Sequence, residues 1–253
     1  MKAVVPILLV ISGIIIIKFV GCSGDSGDCK PITQAEATHI DPEKTGIIKG
    51  MVLFKGNAPR KVLQMGHAEC RSLHGGEVQD ESLVVSDGRL QNVFVYIKGG
   101  LENFKFATNL SAAQIGQKKC IYVPHVTGVM VCQPVLFTTS DSVDHNVKIT
   151  ADDGSELNNF TLIPSVGKKE FKFTKQCVMA KLTCNYHNWM TAYVGVLNHP
   201  YFAVTGTDGS FEFKNVPQGK YIIEVWHETL GTKQSKLVEL KPKEAQAVEF
   251  TYN

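Results

Sequence analysis

Seven consecutive residues, Cys184-Asn185-Tyr186-His187-Asn188-Trp189-Met190, put a thiol, an imidazole and a thioether into one short stretch between two runs that read as strands. A thiol that ionises is the soft nucleophile and metal ligand among side chains; a neutral imidazole binds most transition metals, and a thioether adds a weak soft donor. A tight loop turns all three to one side. A second imidazole must come from elsewhere, and His145 is the candidate, because it follows Ser140-Asp141 at the end of one strand-like run and Asn146-Val147 carries the chain into the next. Two imidazoles and a thiolate with a weak axial thioether suit copper that alternates between Cu(II) and Cu(I), since soft sulfur favours one state and imidazole accepts both. Zinc suits the set less well, because a structural zinc has no use for a thioether. His145, Cys184, His187 and Met190 fill the coordination sphere of one copper, so the expected role is electron carriage, with no small-molecule substrate. A copper oxidase or nitrite reductase needs further histidine pairs, and none of the eight His forms a His-x-His motif.

These residues need a scaffold of strands. Twenty-two Gly and ten Pro separate short Val/Ile/Phe/Tyr runs, and no long amphipathic helical period interrupts them, so the chain reads as all-β. In the first part Ile47 to Phe54, Leu83 to Val85 and Asn92 to Ile97 are expected strands, with Asp87-Gly88 as a turn. In the middle they are Gly128 to Val131, Val135 to Thr139, Asn146 to Thr150, Glu170 to Thr174, Ala180 to Cys184 and Thr191 to Leu197. In the last part Tyr201 to Val204, Ser210 to Phe213, Tyr221 to Trp226, Lys236 to Leu240 and Ala247 to Tyr252 follow.

The Cys-x2-His-x2-Met loop and the Ser140-Asp141 … His145-Asn146 segment resemble the cupredoxins, the small type 1 blue copper proteins of the amicyanin and plastocyanin kind. That resemblance covers roughly residues 120–198 and implies a Greek-key β-sandwich and one type 1 copper. It also implies larger redox proteins as partners, a cytochrome or a membrane respiratory complex, and a supporting role for Asn146 in tying the two ligand segments together. Thr207-Asp208-Gly209-Ser210-Phe211 with Val216-Pro217-Gln218-Gly219-Lys220-Tyr221 resembles a second family, the transthyretin-like or carboxypeptidase-regulatory-like sandwich. The expected arrangement is a transthyretin-like sandwich of residues 46–100 plus 199–253, with a cupredoxin of residues 101–198 inserted into it. The alternative expectation is a copper-binding or docking subunit of a larger membrane complex, seated through the second sandwich and without an electron-carrier role of its own.

Residues 1–21 contain Lys2 and Lys18 and no acid; without them 26 − 2 = 24 basic residues balance 24 acidic ones, which gives no electrostatic case for nucleic acid. The apolar run Ala3 to Ile17, continued through Phe19-Val20-Gly21 to Cys22, reads as an export signal. Its end resembles a bacterial lipobox, with Cys22 lipidated; the alternative is an uncleaved anchor of about 19 residues, near the length that spans a bilayer. Either places the body on the periplasmic side of a bacterial membrane, and residues 23–45 read as a flexible stalk.

An exported chain meets oxidising conditions. With Cys22 and Cys184 assigned, Cys132 and Cys177 each begin a strand that runs toward a ligand and are expected to pair, as are Cys70 and Cys120, leaving Cys29 in the stalk. His125 is expected to pack or hydrogen-bond between the domains. In Trp226-His227-Glu228, neighbours on a strand point to opposite faces, so His227 and Glu228 do not form a dyad.

Overall fold

The computed structural model describes residues 29–108, 110–231 and 234–253. A single 3-10 turn, Pro42–Lys44, leads into β1 (Thr45–Phe54), followed by β2 (Val85–Ser86), β3 (Arg89–Leu90) and β4 (Phe94–Gly99). Nine strands come next: β5 (Ala113–Lys118), β6 (Ile121–Val123), β7 (Val126–Met130), β8 (Pro134–Thr139), β9 (His145–Thr150), β10 (Glu156–Leu162), β11 (Lys168–Lys172), β12 (Cys177–Thr183) and β13 (Thr191–Leu197). The chain ends with β14 (Phe202–Val204), β15 (Ser210–Pro217), β16 (Gly219–Trp226), β17 (Gln234–Leu240) and β18 (Ala245–Tyr252).

The strands form two sandwiches. In the first, a sheet ordered β15-β1-β3-β2, with β18 parallel beside β1, faces a sheet ordered β14-β4-β16-β17. Alternation along β15 and β16 sends Phe211, Phe213, Tyr221, Ile223 and Val225 into a core shared with Ile48, Val52, Val95, Ile97 and Phe250. In the second, β11-β8-β5-β6 faces β10-β9-β12-β13-β7, around Ile115, Phe137, Ile149, Phe173, Leu182 and Val194. The middle strands β5, β6 and β10 are additions to the sequence reading. Their sequences, Ala-Gln-Ile-Gly-Gln-Lys and Glu-Leu-Asn-Asn-Phe-Thr-Leu among them, carry Gly, Gln and Asn, which strands usually lack, and tertiary pairing overrides that weak propensity.

The sandwiches meet on β4 and β13. Val95 and Ile97 point into the first core, so Phe94 and Tyr96 point out, against Val126, Met179 and Leu197. Gly195 pairs with Gly128 across β13 and β7. A Cβ on Gly195 would fall 2.3 Å from the Phe94 ring, and one on Gly128 would fall 2.4 Å from Phe202. Hydrogen in place of a side chain lets the aromatic rings settle onto the sheet.

Two stretches run differently from the sequence expectation. Residues 55–84, expected within the first sandwich, keep only their ends there, with Ala58 and Leu83 against its core; between them, Met65 and Cys70 are buried in the second core, with Leu63 and Val78 packed against it. This excursion includes α1 (Ala68–Ser72), a single helical turn. The described part of the expected stalk, residues 29–45, is pinned to the body. Ile32 and Thr108 exchange backbone and side-chain hydrogen bonds, as do Thr38 and Lys105, and Cys29 is bridged to Cys132. The expected Cys132–Cys177 bridge is therefore corrected; Cys177 is itself disulfide-bonded. The N-terminal segment reaches Cys132 from 103 residues away, a pairing that the positions of strand starts do not signal. Cys70 and Cys120 are bridged. Cys22 and the apolar run before it lie outside the described residues; among the described residues no helix is long and apolar enough to cross a membrane.

Candidate metal centre

β12 ends at Thr183 and β13 begins at Thr191, and the loop between them holds Cys184, His187 and Met190 at one end of the second sandwich. The Met190 N–H donates to the His187 carbonyl at 2.9 Å, closing the loop into a turn. The first residue of β9 is His145, on the strand beside β12. These elements bring His145, Cys184 and His187 into one buried group whose candidate donor atoms lie within 4.8 Å of one another. His145 Nδ1 is 3.2 Å from His187 Nδ1, and Cys184 Sγ is 3.6 Å from His187 Nδ1. Met190 is buried in the same core as Cys184. Cys184 is the free cysteine among the described residues.

Neighbouring groups fix the orientation of the donors. His145 Nε2 donates to Asp141 Oδ2 at 2.9 Å, which turns Nδ1 toward Cys184 and His187. Asp141 in turn accepts from the backbone N–H groups of Lys119 at 2.5 Å and Cys120 at 2.7 Å. The Asn146 N–H donates to Cys184 Sγ at 3.3 Å, while its side chain accepts from the Asn185 N–H and donates to the Phe160 carbonyl. Asn146 thus ties the His145 strand to the Cys184 loop. The role of Asp141 is not evident from the sequence, where its position four residues before the histidine is the available signal.

Electrostatics favours a ready thiolate. Burial raises the Cys184 pKa, but hydrogen bonds from His145 and from backbone N–H groups of the loop outweigh it and bring the thiol below its ordinary value. Burial also lowers the pKa of His145, yet the Asp141 carboxylate and the Cys184 sulfur push it up to about 9. Burial, reinforced by the charges of His145 and His67, lowers His187 to about 4 and keeps it neutral. Once a metal displaces the protons of Cys184 and of His145 Nδ1, a thiolate, two imidazole nitrogens and a thioether sulfur in a dry pocket would form the donor set that copper takes.

The excursion of residues 55–84 covers this end of the sandwich. His67 lies edge-on to His187, with 4.8 Å between ring centroids, and His187 is only 2% exposed. Trp189 Nε1 donates to the Cys120 carbonyl at 3.0 Å, so this side chain is anchored; Tyr186, on the other side of His187, is exposed. No local pattern in the sequence pointed to His67. His125 binds the Glu228 carboxylate through Nε2 and lies 3.9 Å from Glu81 through Nδ1, joining the excursion and both sandwiches. His227 does not share that contact; its Nδ1 accepts backbone N–H groups of its own turn.

No protein-family profile matches the chain, and no curated protein matches it. Among solved structures, a purple cupredoxin from Nitrosopumilus maritimus is similar at 27% identity over 33% of this chain and 98% of its own, with a TM-score of 0.30. A reduced amicyanin variant is similar at 20% identity over 40% of this chain and 97% of its own, with a TM-score of 0.31. A copper-containing nitrite reductase from Thermus scotoductus is similar at 19% identity, over 37% of this chain and 24% of its own, with a TM-score of 0.30.

Proposed function

We propose that the protein carries single electrons on one mononuclear copper held by His145, Cys184, His187 and Met190. The observation that carries this reading is the buried group of two Nδ1 atoms and one cysteine sulfur, 3.2 and 3.6 Å apart, with the thioether of Met190 in the same core. Bound there, copper would supply a one-electron couple, because its soft and borderline ligands suit both oxidation states. The chain's own residues do the rest. Asp141 and Asn146 hold His145 and the Cys184 loop in place, so little rearrangement accompanies a change of charge. The surrounding core keeps water from the sulfur. The carrier works from the outer side of a membrane, tethered through the N-terminal segment, with redox proteins as partners.

Copper(II) added to the purified chain is expected to give an intense visible thiolate-to-copper band that a reductant bleaches reversibly. Cys184→Ser is expected to abolish it. A colourless wild-type complex overturns the reading in favour of copper binding without electron carriage.

A further inference from the structure

Two further sulfurs stand beside the proposed centre. Cys70 and Cys120 are each 0% exposed and are joined in a disulfide. Cys70 Sγ lies within 4.8 Å of donor atoms of His67 and His187, and Cys120 Sγ lies within 4.8 Å of donor atoms of Asp141 and His145. The disulfide therefore runs along the flank of the centre, next to both of its histidines. Neither sulfur of a disulfide carries the thiolate charge that binds metal. In the oxidised chain Cys184 is thus the thiolate donor at this end of the sandwich.

We propose that reduction of the Cys70–Cys120 disulfide opens a second metal site here, in which His67, Cys70 and Cys120 bind one soft monovalent ion. The choice of ligands follows from what the other groups already do. His187 Nδ1 and His145 Nδ1 face Cys184, and His145 Nε2 is held by Asp141. His67 is exposed and lies on the Cys70 side. Two thiolates and an imidazole form a soft, low-coordinate set that selects Cu(I) over harder ions. The reductant is a dithiol. Its two thiols become a disulfide, and its two electrons and two protons end on Cys70 and Cys120; each of these thiols then releases its proton as it ligates the ion. Access requires α1 to open, and that element is a single surface turn with Glu69, Arg71 and Ser72 exposed. The second site rests on the copper reading only for the ion next to it.

The test titrates Cu(I), supplied from a buffered complex, into the full chain, either oxidised or reduced with a dithiol and desalted without air. Native mass spectrometry counts bound ions. The expected result is one ion per oxidised chain and two per reduced chain. In the Cys70→Ser/Cys120→Ser double variant the count stays at one after reduction, although its other disulfides are reduced too. His67→Leu keeps the bridge and so tests the site in a chain that folds as before. It is expected to weaken the second ion by at least about tenfold, since losing a ligand costs no less than losing an outer partner, and to leave the first ion unchanged. One ion in the reduced wild type, two in the reduced double variant, or an undiminished second ion in His67→Leu overturns the proposal. An oxidised chain that binds no copper overturns the electron-carrier reading instead.

Discussion

His67 sets its ring edge against the ring of His187 at 4.8 Å between centroids, although 120 residues separate them and His67 comes from the excursion between β1 and β2 of the other sandwich. The contact leaves His187, a proposed copper ligand, 2% exposed. The first sandwich therefore does more than flank the second, because a loop that starts in it covers the proposed metal centre.

Removing that cover is expected to speed electron exchange. His67→Ala opens the edge of His187, so reduction of the copper-loaded chain by a small outer-sphere reagent should rise severalfold in stopped-flow measurements. Because His67 is exposed, stability should change by no more than about 0.5 kcal/mol. An unchanged rate would mean that electrons enter elsewhere.

Asp141→Asn tests the support of His145. An amide cannot hold the His145 Nε2 proton as a carboxylate does, and it loses the charge that accepts the Lys119 and Cys120 N–H groups. Copper affinity is expected to fall by about 10- to 100-fold, read by competition with a chelator, while Cys184 still gives a visible band.

Gly195→Ala should strain the contact between the sandwiches. The new methyl group would sit 2.3 Å from the Phe94 ring; overpacking of this kind costs about 1–3 kcal/mol. Phe94→Leu in the same chain should recover part of the loss, and a double-mutant cycle by chemical denaturation measures the coupling.

Acid should destabilise the fold through His199. Its Nδ1 accepts the Tyr201 N–H at 3.3 Å and its Nε2 donates to the Ile97 carbonyl at 2.9 Å, an arrangement that requires a neutral ring. Burial lowers its pKa from 6.5 to about 4, against the Ile97 carbonyl and Glu102, which raise it. The unfolded chain binds the proton more readily, so stability is full above about pH 6.5 and falls as pH drops toward 4. The loss reaches about 3 kcal/mol at most. Denaturation midpoints across this range should slope upward with pH, and His199→Gln should make the slope shallower, with His187 and His227 supplying the remainder.

The sequence by itself put Cys184, His187 and Met190 into one loop, because seven residues between two strands leave a loop little freedom in what it gathers. It also marked most of the strands, since alternation and turn residues follow from the geometry of one extended chain. Only the tertiary structure decided that Cys29 meets Cys132, that Asp141 holds His145, and that His67 and the Cys70–Cys120 bridge lie over the centre. The physical reason is range. A loop as long as residues 55–84 has no periodicity to reveal its path, and what fixes that path is the burial of Met65 and Cys70 in a core assembled from strands far along the chain.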